Sequence, residues 1–248
     1  MASVVIELSQ QAGVTTVGRV RKNNEDVFAI HPERTLALVA DGMGGAACGE
    51  VASSLAAKSV SDYFTITRGL TPAELVEESI RFANDCVWQA AQAPGGCDGM
   101  GTTLVMAHWT DNELWLANVG DSRGYILRQG AFRQLTYDQN LANDLRETLK
   151  LTNEQIASYP QRNALTMAIG TRAEVQCRIC QGTLQDGDTI LLCSDGLTNP
   201  LNDEAIAAML RDIAPLTVAA EALVEAALDN GGTDNVTVVL LRFSDRRF

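Results

Sequence analysis

The stretch "GTTLVMAHWTDNELWLANVGDSRGYILRQGAFRQL", residues 101–135, decides the fold class of this 248-residue chain. Four runs with strand character follow one another in it, and only "TDN", "D" and "G" separate them. A crossover between parallel strands needs a dozen or more residues, so links this short predict that the successive strands pair antiparallel.

Further strands and helices flank this meander. Strands are predicted at 4–8, 27–31, 35–40, 175–183, 189–194 and 236–243, and helices at 50–64, 72–92, 141–157, 203–213 and 218–229. Two helix starts, Thr71 with Glu74 and Thr152 with Gln155, have the spacing of a capping box. Helices grouped around antiparallel runs predict an α+β layered sandwich, and the length and 46% hydrophobic content predict a single domain over residues 1–248.

The formal net charge of −12 argues against non-specific nucleic-acid binding and against anionic membrane surfaces, but not against binding cations. The first residues, "MASVVIELSQ", lack a basic region followed by a long apolar stretch. No window approaches the roughly 20 apolar residues of a membrane span. We therefore expect a cytoplasmic protein with no nucleic-acid partner and no membrane span.

The six cysteines are few for the length and do not form a dense framework, so we expect reduced thiols. Cys177 and Cys180 form a C-x-x-C pair in a segment of strand character. Because a second pair is absent, buried small hydrophobic side chains are a better interpretation than a metal or redox site.

The loop "VADGMGGAACGE", residues 39–50, contains the loosest form of a dinucleotide-binding pattern at Gly42, Gly44 and Ala47. Asp41 stands directly before the first glycine, where its charge would oppose a pyrophosphate. The phosphate-binding pattern G-x-x-x-x-G-K-[ST] does not occur. The sequence therefore does not favour a nucleotide-binding site.

A G-x-S-x-G pattern at Gly120, Ser122 and Gly124 is similarly misleading. A strand follows it instead of a helix, and both histidines of the chain, His31 and His108, precede the serine. The order of residues thus excludes the serine hydrolase triad that this pattern normally carries.

Acidic residues instead recur at the ends of strand-like runs, each beside a glycine or a tight turn. They are Glu25, Asp26, Asp41, Asp121, Asp195 and Asp234. A single Asp-Gly after a strand is usually only a turn. Several such acids at one sheet rim would repel one another unless cations neutralised them, and hard oxygen ligands select Mg2+ or Mn2+.

Eight motifs carry a family resemblance: "RKNNEDVF", "VADGMGG", "GTTLV", "ANVGDSRGY", "QLTYDQ", "ALTMAIGT", "LLCSDGL" and "GGTDNVTVV". In this order they resemble the metal-dependent protein phosphatases of the protein phosphatase 2C type, in their bacterial form. The resemblance spans nearly the whole chain. It implies a four-layer α-β-β-α sandwich of two antiparallel sheets flanked by helices, with two Mg2+ or Mn2+ ions at one end.

The resemblance also implies a role for each acid. Asp41 would bridge both ions, the Gly42 carbonyl and Glu25 would bind one, and Asp195 and Asp234 would bind the other. Asp26 would support the site through water. Asp121, together with Asp195, would hold a third and weaker ion.

Arg21 resembles the phosphate clamp of the family, a task that suits the guanidinium fork; the alternative is an ordinary surface arginine. With Asp41 and Asp195 it would carry catalysis. The implied reaction is direct attack of a metal-bridging hydroxide on a phosphoserine or phosphothreonine protein. The resemblance further implies an opposing Ser/Thr kinase and a monomer.

Some positions depart from the family pattern. Met43 stands where some members have a histidine proposed as general acid, so the proton donor is unassigned. Gln139 and Met167 replace frequent histidine and arginine residues, and we expect them to affect loop packing or substrate contact. Residues 141–160 correspond to a variable flap. A catalytically silent phosphoprotein-binding domain and a small-molecule phosphoesterase remain as alternatives.

Overall fold

Two antiparallel sheets form the centre of the computed structural model, which describes residues 5–45 and 48–245. The strands are β1 (Ile6–Thr16), β2 (Asp26–His31), β3 (Leu36–Met43), β4 (Gly101–Thr102), β5 (Leu104–Thr110), β6 (Glu113–Val119), β7 (Arg123–Arg128), β8 (Ala131–Gln134), β9 (Arg178–Thr183), β10 (Thr189–Cys193) and β11 (Val236–Asp245). The helices are α1 (Cys48–Ile66), α2 (Pro72–Gln92), α3 (Leu141–Leu149), α4 (Asn153–Ala157), α5 (Asp195–Thr198), α6 (Asp203–Asp212) and α7 (Leu216–Asp229).

The first sheet has the strand order β1-β11-β10-β7-β8 and the second has the order β2-β3-β5-β6-β9, with β4 paired to β3. All of these pairs are antiparallel. This arrangement confirms the α+β prediction of two antiparallel sheets.

The central strands are buried on both faces, which explains their continuous apolar sequences. On β3, Leu36 and Leu38 face a core shared with α1 and α2, while Ala37 and Val39 face a core between the two sheets. A third core lies between the first sheet and helices α5 to α7. Three cores between four layers give the α-β-β-α sandwich that the resemblance implied.

The meander of residues 101–135 differs from prediction at one link. Strands β5 and β6 pair, as do β7 and β8, but β6 and β7 belong to different sheets. The chain crosses between the sheets at Gly120–Ser122, where Gly120 has a φ of +91°. The prediction that all successive strands pair was therefore wrong here, because a turn this short can also carry the chain to the opposite sheet.

Most other elements lie where they were predicted, and both capping boxes are confirmed. Strand β1 is much longer than the predicted 4–8, and residue 4 lies outside the described residues. The helix predicted over 141–157 is two helices, since Lys150 adopts a left-handed φ of +54° between them. The four-residue helix α5 was not predicted.

The expectation of six reduced thiols was wrong for one pair, because Cys48 and Cys97 form a disulfide. Their Cα atoms lie 5.7 Å apart although 49 positions separate them in sequence. The bond joins the start of α1 to the loop after α2, a tertiary contact that spacing alone does not reveal. The other four cysteines are free, Cys177 and Cys180 among them, and burial raises the pKa of the Cys177 thiol to about 11.

Among the residues the structure describes, none of the helices combines the length and apolar character needed to span a bilayer.

Candidate metal centre

Acids from separate chain segments meet at one end of the sandwich. Asp41 lies near the end of β3, Asp121 lies in the crossing between β6 and β7, and Asp195 follows β10 at the start of α5. Glu25 immediately precedes β2, and Asp234 lies two residues before β11. Together they line a cavity of about 500 Å³, whose other lining residues are Arg21, Lys22, Asn23, Gly42, Met43, Gly44, Gly45, Thr103, Asn163 and Leu165.

Seven of the eight residues predicted for the site thus share one cavity, and the exception is Asp26. It stands opposite Asp41 in the β2–β3 pairing and is 5% exposed, behind the lining. The hydroxyls of Ser194 and Thr237 each donate to Asp26 Oδ2 at 2.7 Å. Burial raises the pKa of Asp26 to about 6, although these two hydrogen bonds oppose the shift.

Asn235 organises the loop that presents Glu25. Its Oδ1 accepts from the Glu25 amide at 2.8 Å, and its Nδ2 donates to the carbonyls of Val17 and Asn23 at 3.0 and 2.9 Å. Asn235 was not among the predicted site residues, although it directly follows Asp234 in "GGTDNVTVV". One side chain therefore ties the segment before β11 to the segment before β2.

Gly42 is required by the close packing of the loops around the cavity. A Cβ atom on Gly42 would lie 2.0 Å from the Gly49 carbonyl oxygen, and one on Gly49 would lie 2.6 Å from Glu25 Oε2. The Gly42 amide donates to the Glu25 carbonyl at 3.1 Å. Glycines at these two positions allow the backbone of the "DGMGG" loop to approach the acids.

The carboxylates raise one another's pKa. Burial raises the pKa of Asp41 well above its ordinary value, and the charges of Asp26, Asp195, Asp234 and Asp121 raise it further. Burial, Asp195 and Asp138 raise the pKa of Asp121 to about 7. The pKa of Asp195 is also raised, first by burial and then by Asp234. This concentration of negative charge is what a bound cation would relieve.

The donor set fits hard divalent cations. Asp195 Oδ1 and Asp26 Oδ1 are buried side-chain oxygens without a hydrogen-bond partner, whereas Asp195 Oδ2 accepts from Asn199 Nδ2 at 3.0 Å. Within residues 5–45 and 48–245, no three histidine, cysteine or acidic side chains converge into a ready-made metal-binding group. Mg2+ characteristically keeps several waters and uses only one or two carboxylates, so such an open set of oxygens suits an ion of this kind.

Arg21 provides positive charge at the edge of the cavity. Its Nη2 donates to Asp234 Oδ2 at 2.7 Å, and its side chain is 51% exposed. The pKa of Arg21 is raised, chiefly by the charge of Asp234. The guanidinium predicted to hold phosphate is thus in place at the cavity, but an acid of the same site binds it.

The positions that depart from the family pattern divide between the cavity and its supports. Met43 lines the cavity. Gln139 does not; its Oε1 accepts from the Gly120 amide and its Nε2 donates to the Gln176 carbonyl, both at 2.8 Å. Met167 is partly buried against the core of α1 and α2. Gln139 therefore bonds to the backbone of neighbouring loops and Met167 packs against the core, while substrate contact, the other role expected for them, stays a prediction.

Eight residues of the lining were not among the predicted site residues: Lys22, Asn23, Met43, Gly44, Gly45, Thr103, Asn163 and Leu165. The first two lie in "RKNNEDVF", and the last two lie just beyond the variable flap. The residue types of these four do not distinguish them from surface residues. Only their position in or near recognised motifs could have indicated that they line the cavity.

The serine of the misleading G-x-S-x-G pattern is structural. Ser122 is fully buried, and its Oγ lies 2.6 Å from Thr103 Oγ1. Both histidines are bound elsewhere, His31 to Ser61 and His108 to Thr35. Of the dinucleotide pattern, Gly42 and Gly44 line the acidic cavity, and Ala47 lies outside the described residues.

The fold is a four-layer sandwich of two antiparallel sheets, and a cluster of acids and the Arg21 guanidinium lie at one end of it. This combination is typical of the metal-dependent phosphatases. The family model described as "Protein phosphatase 2C" matches residues 18–230. The chain belongs to the protein phosphatase 2C family.

Named relatives agree with this assignment. The serine/threonine phosphatase stp of Listeria monocytogenes is 37% identical over 234 residues, which cover 92% of this chain and 93% of the relative. The crystal structure of the Mycobacterium tuberculosis serine/threonine phosphatase PstP/Ppp superposes with a TM-score of 0.86 at 36% identity, covering 96% of this chain and 98% of that one. A structure of the PstP catalytic domain in complex with two manganese ions has a TM-score of 0.85 at 34% identity, covering 98% of this chain and 100% of that one.

Proposed function

We infer that this chain is a Mn2+- or Mg2+-dependent serine/threonine protein phosphatase. The observation that carries this inference is the convergence of Asp41, Asp121, Asp195, Asp234 and Glu25 on one cavity that Arg21 also lines. The relatives named as serine/threonine phosphatases, and the relative that binds two manganese ions, support the same activity for this chain.

Within this proposal, Asp41 would serve two cations, the Gly42 carbonyl and Glu25 would help to hold one of them, and Asp195 and Asp234 would help to hold the other. Asp26 supports the set from behind, because Ser194 and Thr237 fix its carboxylate. Asp121 and Asp195 are the acids available to a third ion. When bound, such ions supply positive charge to the phosphoryl group and lower the pKa of water.

The chain's own residues bind and orient the phosphoester. The Arg21 guanidinium can donate two parallel hydrogen bonds to phosphoryl oxygens once it is released from Asp234. Met43 has no proton to donate, so it is not the acid that protonates the leaving alkoxide. The substrate is a phosphoserine or phosphothreonine protein, the enzyme opposes a Ser/Thr kinase, and it acts as a monomer. The cytoplasmic location and the single domain stay predictions.

Hydrolysis of a phosphothreonine peptide tests the proposal. Wild-type protein with Mn2+ should release phosphate, EDTA should stop the reaction, and Asp41→Asn and Asp195→Asn should abolish it while remaining folded. Asp212→Asn is the matched control, since Asp212 is exposed at the end of α6, and it should behave as wild type.

Two results would contradict the proposal. If folded wild type with Mn2+ hydrolyses no phosphopeptide, the silent-domain alternative takes its place. If it hydrolyses p-nitrophenyl phosphate but no phosphopeptide, the small-molecule phosphoesterase takes its place.

A further inference from the structure

The regular pairing of β3 with β4 and β5 is interrupted at Asp41, one of the acids that line the cavity. Gly42 pairs with Thr102 and Val39 pairs with Val105, so Asp41 stands opposite Thr103. In a regular hydrogen-bonded antiparallel pair, two such residues exchange both backbone bonds. Here the Thr103 amide donates to the Asp41 carbonyl at 2.8 Å, but the Asp41 amide donates to the Thr103 side-chain oxygen at 3.1 Å.

Thr103 also contacts the crossing between the sheets, which carries Asp121. Its Oγ1 lies 2.6 Å from Ser122 Oγ. A Cβ atom on Gly120 would lie 2.8 Å from the Thr103 methyl carbon, so this methyl packs against the crossing. Thr103 is 2% exposed and Ser122 is fully buried. One threonine side chain therefore touches the residues on both sides of Asp121.

The hydrogen bonds of Thr103 and Ser122 restrict the orientation of both hydroxyls. Thr103 Oγ1 accepts the Asp41 amide, and the two buried hydroxyls share one short hydrogen bond. Thr103 and Ser122 are both buried, so removing one hydroxyl takes away the hydrogen-bond partner of the other. The distance between the Asp41 backbone and the Asp121 turn is thereby set by two side chains that carry no charge.

We propose that Thr103 and Ser122 are positioning residues that fix Asp41 relative to Asp121 so that the two acids can serve the same group of cations. This inference rests on the proposed function. Neither residue contacts the reacting atoms in this scheme; each acts through an acid. Groups that orient metal ligands typically change metal affinity or activity by about 10- to 100-fold when they are removed.

The decisive comparison is Thr103→Val with Thr103→Ser. Valine keeps the methyl group against Gly120 and loses the hydroxyl, whereas serine keeps the hydroxyl and loses the methyl. Thr136→Val is the matched control, because Thr136 Oγ1 also accepts a backbone amide, that of Gly124 at 3.0 Å, but does not line the cavity. Mn2+ is titrated into metal-free protein by calorimetry, with circular dichroism as the check of folding.

We expect Thr103→Val to bind Mn2+ at least about tenfold more weakly than wild type, with a lower kcat and little change in KM. Thr103→Ser should stay within about threefold of wild type, and Thr136→Val should bind as wild type does. A folded Thr103→Val with wild-type Mn2+ binding and kcat would overturn the inference. So would equal weakening in Thr103→Val and Thr103→Ser, which would indicate packing rather than positioning.

Ser122→Ala gives an independent measurement if Thr103→Val does not fold. It should weaken Mn2+ binding by about threefold or more, and unchanged binding would overturn the inference. Wild type that neither binds Mn2+ nor hydrolyses phosphopeptide would instead contradict the proposed function. The two failures are therefore distinguishable.

Discussion

Arg21 Nη2 lies 2.7 Å from Asp234 Oδ2, although 213 positions separate the two residues in sequence. The pair joins the expected phosphate clamp to an expected metal ligand. A cation bound at Asp234 competes with the guanidinium for the same carboxylate, because both are held by its negative charge. Metal binding and release of Arg21 toward the phosphate are therefore expected to be coupled.

The first prediction follows from this competition. Arg21→Ala should raise KM for a phosphothreonine peptide by about 10- to 100-fold, the range expected when a charge-assisted hydrogen bond is lost. Its affinity for Mn2+ should equal or exceed that of wild type, because Asp234 loses a competing cation. Arg21→Lys should recover only part of the KM, since an ammonium cannot bind two oxygens in a fork. Steady-state kinetics and Mn2+ calorimetry on the three proteins measure both effects.

If Arg21→Ala instead weakens Mn2+ binding and leaves KM unchanged, Arg21 supports the metal ligands and does not clamp phosphate. Arg211→Ala is a suitable control, because its guanidinium donates to the Gly130 carbonyl on another surface.

The second prediction concerns pH. The pKa of Asp121 is raised to about 7, and those of Asp41 and Asp195 are also raised, in the absence of metal. A carboxyl group with a raised pKa binds its proton more tightly in the folded state, so its contribution to stability is present below about pH 4 and is lost as the pH rises through about 7. In EDTA, this cluster should make unfolding easier at pH 8 than at pH 5.5.

Mn2+ should reverse that trend, because it competes with protons for the same oxygens. The increase in Tm on adding Mn2+ should be larger at pH 8 than at pH 5.5, and Asp121→Asn should reduce the pH dependence measured in EDTA. Thermal melts at the two pH values, with and without metal, measure this. If Asp121 instead stabilises the metal-free protein more at pH 8 than at pH 5.5, the predicted direction of the pH dependence is wrong.

The third prediction concerns the Cys48–Cys97 disulfide. A bond that closes a loop of 49 residues is expected to stabilise the folded state by about 4 kcal/mol through the entropy of the unfolded chain. Removing it by the double change Cys48→Ser and Cys97→Ser should lower the free energy of unfolding by up to that amount in urea titrations. Cys86→Ala is the control, since Cys86 is a free thiol on α2. Equal stability of the double variant and wild type, both in oxidising buffer, would contradict the prediction.

The sequence predicted those parts of the molecule that depend on local chemistry. The apolar run ending at Asp41 indicated a buried strand with an acid at its end, and Thr71 with Glu74 indicated a helix start; both are present. Contacts between distant segments were outside its reach. The Cys48–Cys97 bond depends on such a contact.

In the candidate site, too, contacts between distant segments were not predicted from the sequence. Charge and position at strand ends singled out the acids, and the family resemblance grouped them into one site. Thr103 was quoted only as part of "GTTLV", because its role depends on standing opposite Asp41 and beside Ser122, whose turn crosses between the sheets. Residue type cannot reveal a crossing of this kind, since the same short turn would also suit a hairpin.

The last prediction distinguishes two buried acids of nearly equal exposure, Asp26 and Asp138. Asp26 lies among other acids and has one oxygen without a partner, and its pKa is raised to about 6. Keeping it ionised at pH 8 therefore costs the metal-free fold up to about 3 kcal/mol. Asp26→Asn removes that charge, so it should raise the Tm in EDTA at pH 8 and abolish most of the stabilisation by Mn2+.

Asp138→Asn should have the opposite effect on the metal-free protein, because Arg123 donates to both Asp138 oxygens at 2.6–3.0 Å and would be left partly unpaired. Its Tm in EDTA should fall. The contrast follows from the partners of each carboxylate, since the two side chains are almost equally buried. Asp26 is held by two neutral hydroxyls, whereas Asp138 is bound by the Arg123 guanidinium. A lower Tm for Asp26→Asn in EDTA would mean that the hydroxyls of Ser194 and Thr237 outweigh the repulsion of the neighbouring acids. If Mn2+ stabilises Asp26→Asn as much as wild type, the cations do not need the charge of Asp26.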